Sequence, residues 1–175
     1  SRMDVPAAAP DLDVAIWLNS DGVALADLRG RVVVLEAFQM LCPACVNHSL
    51  PQAARMQRVY PSEDLAVVGL HTVFEHHDVM GPDALATFVA EFRYTFPIGV
   101  DRHDDPADRI PATMRAYALQ GTPSTVLIDR DGRIRSSSLG AIDDLTLGTA
   151  IGRLLAEPRN HDTPGAPSTS TKGPS

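Results

Sequence analysis

Cysteine is scarce in this chain: 175 residues contain two, Cys42 and Cys45. There is no second Cys-x-x-Cys and no pair of histidines at finger spacing. That disfavours zinc, which usually takes four Cys or His ligands. A purely structural disulfide is also disfavoured, because closing so short a loop constrains the unfolded chain little. No apolar run approaches the ~18 residues of a membrane span. Positive charge is in deficit: 15 Lys and Arg against 22 Asp and Glu give a net charge of −7. Nucleic acid and anionic membranes are therefore poor partners. No internal repeat is visible. The remainder is ordinary globular composition, 44% apolar and 21% charged, which supports one domain with its own core.

Composition divides the chain into three parts. Residues 1–13 are dominated at their start by Ala and Pro and are expected to be a flexible segment. Residues 14–156 are expected to be the folded domain. Residues 157–175 are rich in Pro, Thr, Ser and Gly, and a disordered tail is expected. With Met3 as the natural start, no signal peptide precedes the domain and a cytoplasmic location is expected; with a leader removed, an exported one.

Along the domain, apolar runs alternate with helical patterns. Trp17 to Gly22 reads as a short strand entering a turn, and Leu25 to Leu28 as a small turn of helix. Val32 to Phe38 is a buried strand, nearly continuous in apolar and β-branched residues. A helix is expected from about Pro43 to Tyr60, kinked by Pro51. Strands follow at 65–70, 97–100, 124–128 and 134–139, with a hairpin turn at Asp131-Gly132. Helices are expected at 82–92, 114–119 and 143–156, the last with Asp143 as its N-cap. This order implies an α/β fold, a mixed sheet with helices on both faces.

The chemistry concentrates at Cys42-Pro43-Ala44-Cys45, between a strand and a helix. If Pro43 is the first helical residue, Cys42 is the N-cap, and proline suits that first position. Free backbone N–H groups and the helix dipole then favour negative charge on Cys42. A thiolate is the species that attacks a disulfide. Cys45 lies three residues on, on the same helix face. Cys42 therefore reads as attacker and Cys45 as resolver.

Together with two further features, this stretch resembles the thioredoxin superfamily, and most closely the TlpA/ResA-type thiol-disulfide oxidoreductases and related redoxin-domain proteins. The resemblance spans about residues 14–156 and implies a thioredoxin-like three-layer fold. The second feature is Gly121-Thr122-Pro123 before a strand. The resemblance implies a cis proline packed against the dithiol, with the Thr122 backbone pairing to an extended substrate segment. The third is Glu36, six residues before Cys42, which interrupts an apolar strand. Burial there raises a carboxyl pKa, and the resemblance implies that Glu36 moves protons for Cys45, through water. Two departures concern the subfamily. Leu41 stands where tryptophan often precedes the first cysteine, and Pro51 falls one residue later than the usual helix proline.

Competing readings are weaker. A peroxiredoxin-like peroxidase needs P-x3-T-x2-C, but Leu35 and Gln39 occupy the Pro and Thr positions. A Cu(I) carrier could use both thiolates with a histidine such as His71. His71, His76 and His77 are expected in a solvated polar loop bordering the dithiol, and His48 is expected to be exposed. Asp101 to Asp105 reads as a charged surface loop. The function expected is thiol–disulfide exchange with protein or small-molecule substrates and a redox partner. No cofactor or metal is expected.

Overall fold

The computed structural model describes residues 5–159. Six strands form one sheet: β1 (Val14–Leu18), β2 (Val32–Phe38), β3 (Leu65–His71), β4 (Ile98–Asp101), β5 (Ser124–Ile128) and β6 (Ile134–Leu139). Their order is β1-β4-β3-β2-β5-β6. The inner strands β4, β3 and β2 run parallel, while β1, β5 and β6 are antiparallel to their neighbours. All seven residues of β2 are buried because it is hydrogen-bonded on both edges and covered on both faces. That double burial explains its unbroken apolar run.

The pleat of β2 sorts its side chains between two cores. Val32, Val34 and Phe38 pack with α1 (Leu50–Val59), α2 (Pro82–Phe92) and α4 (Asp144–Ala156). Val33, Leu35 and Ala37 pack with α3 (Ala112–Ala116) and the 3₁₀ turn Leu25–Leu28. This is the mixed sheet with helices on both faces that the element order implies. Asp143 caps α4, accepting from the Leu145 and Thr146 N–H groups.

Several local expectations need correction. The helix after the dithiol is not a kinked α-helix throughout: Cys45–Ser49 forms a π-helical turn before α1. Leu50 N–H bonds to the Cys45 carbonyl, five residues back. Proline cannot donate and its ring crowds the preceding turn, and one wide turn ahead of Pro51 accommodates both. Helix α3 begins earlier than expected because Asp101 accepts from the N–H groups of Thr113 at 2.7 Å and Met114 at 2.9 Å. Asp101 is accordingly buried at the end of β4, not part of a surface loop.

Within the N-terminal segment, residues 7–9 have backbone partners. Ala8 bridges Arg133, and Ile134 N–H donates to the Ala7 carbonyl at 2.8 Å. This stretch therefore lies against the β5–β6 hairpin, whose turn requires Gly132 at φ +80°. The expected flexibility of residues 1–4 and disorder of residues 160–175 lie outside the described residues.

Candidate active site

The dithiol sits where β2 ends and its following helix begins. Cys42 N–H donates to the Gln39 carbonyl at 3.0 Å, and Val46 N–H donates to the Cys42 carbonyl at 3.0 Å. Cys42 is thus the N-cap, with Pro43 as the first helical residue. Its side chain is half-buried, whereas Cys45 is fully buried beneath it, and both are free thiols. Burial, reinforced by the neighbouring Cys42 thiol, pushes the Cys45 pKa up to about 12. The two cysteines therefore differ in access and in burial.

Thr122 and Pro123 come from the opposite side. The Thr122–Pro123 peptide bond is cis. Cys42 Sγ lies 3.7 Å from the Thr122 carbonyl, to which the thiol can donate. A groove of about 210 Å³ opens here, lined by Leu41, Cys42, Pro43, Glu75, Met80 and Thr122 among others. Leu41 is 54% exposed at its edge.

Glu36 lies deeper. It shares its sheet face with Val34 and Phe38, the face covered by the dithiol helix. It is fully buried, and burial holds its carboxyl well above the usual carboxylate range. Thr125, its register partner on β5, donates to both carboxylate oxygens at 3.0–3.1 Å. Ser49 lies near the same carboxyl, and its hydroxyl donates to the Cys45 carbonyl at 3.5 Å. Opposite Glu36 on β3 stands Gly69, where an added Cβ would meet Ile98 at 3.0 Å and Phe96 at 3.1 Å. Apolar groups therefore close the space on that side.

The histidines separate. His71 belongs to β3 and is buried, not part of a solvated loop. Its Nε2 accepts the Met40 N–H at 3.1 Å, and burial lowers its pKa to about 4. It is a neutral acceptor holding the dithiol loop, and its Nε2 lone pair is already engaged, which weakens its use as a Cu(I) ligand. His76 lines the groove, while His77 stacks on His103 with ring centroids 4.5 Å apart. His48 is half-buried rather than exposed, with Nε2 2.6 Å from the Ile142 carbonyl. Among the described residues no group of three or more His, Cys, Asp or Glu side chains is placed to hold a metal.

His71 makes stability depend on pH. An unfolded histidine titrates near ~6.5, so between pH 6.5 and 4 the unfolded chain binds more protons than the fold. Stability should therefore fall as pH drops through 6.5 and level off below about 4, a loss of roughly 3 kcal/mol. Denaturant midpoints measured across this range should show that slope in the unmodified protein. His71→Gln keeps an acceptor for Met40 and should flatten it; an equal slope in both would remove His71 as its source.

Sequence reasoning missed Thr125 as the partner of Glu36 and Ser49 as its neighbour. The pairing with Thr125 depends on sheet register, and the placement of Ser49 on the π-helical turn. It also passed over Gln39 as a site residue, although a polar side chain directly after a buried strand was a visible signal.

The redoxin family pattern matches residues 5–150. A thiol-disulfide isomerase from Corynebacterium glutamicum is 52% identical, superposes with a TM-score of 0.82, and aligns over 86% of this chain and 98% of its own. The crystal structure of a thioredoxin-like superfamily protein is 48% identical with a TM-score of 0.84, covering 87% of this chain and 98% of that one. The thiol-disulfide oxidoreductase ResA of Geobacillus kaustophilus is 26% identical over 140 residues, 79% of this chain and 71% of its own.

Proposed function

We propose a function from one premise: the chain belongs to the redoxin family, a TlpA/ResA-like branch of the thioredoxin superfamily. Our reading is a thiol-disulfide oxidoreductase that works through Cys42 and Cys45 on protein disulfides. One observation carries it: Cys42 reaches the groove beside the Thr122 carbonyl at 3.7 Å, while Cys45 waits buried directly beneath.

In the reducing direction, the Cys42 thiolate attacks one sulfur of a substrate disulfide. A mixed disulfide forms and the first substrate thiolate leaves. Cys45 then gives up its proton and attacks Cys42 Sγ. The Cys42–Cys45 disulfide forms and the second substrate thiolate leaves. Two electrons pass to the substrate, and its two thiolates are protonated, one by the proton released from Cys45 and one by solvent. In its ionised form Glu36 takes the Cys45 proton through water and passes it to the second leaving thiolate, with Thr125 orienting the carboxyl. Thr122 and Pro123 present backbone to an extended substrate segment. A redox partner resets the pair, and no bound cofactor or metal enters the scheme.

The test is the reduction potential of the Cys42–Cys45 pair in metal-free protein, equilibrated with glutathione buffers. A single two-electron transition is expected. A value near ~−270 mV would make the protein a reductant, and one near ~−120 mV an oxidant suited to an exported setting. A pair that does not exchange with glutathione would overturn the reading.

A further inference from the structure

Gln39 is 2% exposed and sits at the meeting point of three segments around Cys42. Its carbonyl accepts the Cys42 N–H at 3.0 Å. Its side-chain Nε2 donates to Thr122 Oγ1 at 3.3 Å and lies 3.5 Å from Glu75 Oε1. Its Oε1 accepts the Phe74 N–H at 3.3 Å. One amide therefore ties the dithiol loop to the residue before Pro123 and to the loop carrying Phe74 and Glu75. All three segments line the same groove.

We propose that Gln39 is a positioning residue that sets the width of this groove for a polypeptide disulfide substrate. The inference rests on the thiol–disulfide reading above and deepens it. An extended segment entering beside Cys42 must lie between the Thr122 backbone on one side and Phe74 and Glu75 on the other. Gln39 fixes the separation of those walls from below. A small disulfide needs only access to Cys42 Sγ and is indifferent to it. Side-chain amides suit this task because they donate and accept at once without charge. Leucine of similar size would leave the half-buried Phe74 N–H without its acceptor and Thr122 Oγ1 without its donor, so the three segments would lose their common tie.

The test compares insulin, a polypeptide disulfide, with hydroxyethyl disulfide, which has no backbone to bind. Gln39→Leu should lower the ratio of kcat/KM for insulin to that for hydroxyethyl disulfide about tenfold, chiefly through KM for insulin. Gln39→Glu adds a signature that a merely structural residue would not give. Its protonated carboxyl can still donate to Thr122 Oγ1, whereas the ionised form meets the Glu75 carboxylate. Its insulin KM, relative to the unmodified protein, should therefore approach unity at low pH and rise with pH. This variant also serves if Gln39→Leu does not fold. An unchanged substrate ratio in Gln39→Leu, or a pH-independent relative KM in Gln39→Glu, would overturn the proposal. Failure of the unmodified protein to exchange with either probe would instead overturn the oxidoreductase reading itself.

Discussion

Cys42→Ser should reduce disulfide exchange to background, a loss of more than about a thousandfold, because a hydroxyl supplies almost no anion near neutral pH. Cys45→Ser should behave differently. The first attack needs only Cys42, so a mixed disulfide should form and persist, detectable as a mass increase equal to the substrate thiol. The asymmetry has a physical source. Cys42 reaches the groove, while Cys45 is buried with its pKa pushed up to about 12. Burial therefore keeps Cys45 protonated near neutral pH, so it cannot compete as the first attacker. Mass spectrometry of both variants after exposure to insulin checks the assignment. Trapping on Cys45 in the Cys42 variant, at a rate like that of Cys42 in its counterpart, would reverse the roles.

The same burial separates what the sequence made legible from what it did not. Strands β2, β5 and β6 and helix α2 have the residue ranges their patterns predict. Each is specified locally, by a continuous apolar run, a tight turn or a proline at its start. The dithiol at a strand–helix junction was legible for the same reason. What escaped depends on residues distant in sequence. His71 reads as the start of a polar loop, yet β3 continues through it because it pairs with Phe38 on β2 and Val100 on β4. Asp101 looks like one acid among several, yet it accepts the Thr113 N–H in the first turn of α3, twelve residues later. The N-terminal alanines and prolines carry no strand pattern of their own, and only the β5–β6 hairpin gives residues 7–9 partners. Gln39 combines the two cases: its polarity is visible in the sequence, but its three partners lie 35 to 83 residues away.

Replacing Glu36 should move two properties in opposite directions. Burial holds its proton on the folded protein well above the ordinary carboxylate range. Over the interval between a carboxylate's usual pKa and this raised one, the unfolded chain has lost a proton that the fold retains. Stability contributed at this site is therefore complete below the usual carboxylate pKa and declines as pH rises through the interval. Glu36→Gln keeps a polar partner for Thr125 but never ionises, so it should be more stable than the unmodified protein at neutral pH and above, with a flatter pH profile. Catalysis should go the other way. Without a group to take the Cys45 proton, release of the mixed disulfide should slow by about 10²-fold or more in both Glu36→Gln and Glu36→Ala at neutral pH. The defect should shrink as pH rises toward the Cys45 value, where hydroxide does the same work. Stopped-flow measurement of the second step, beside denaturant midpoints from pH 4 to 9, reads both effects. A release rate that matches the unmodified protein across that range would remove Glu36 from the mechanism and leave its buried proton a purely structural cost.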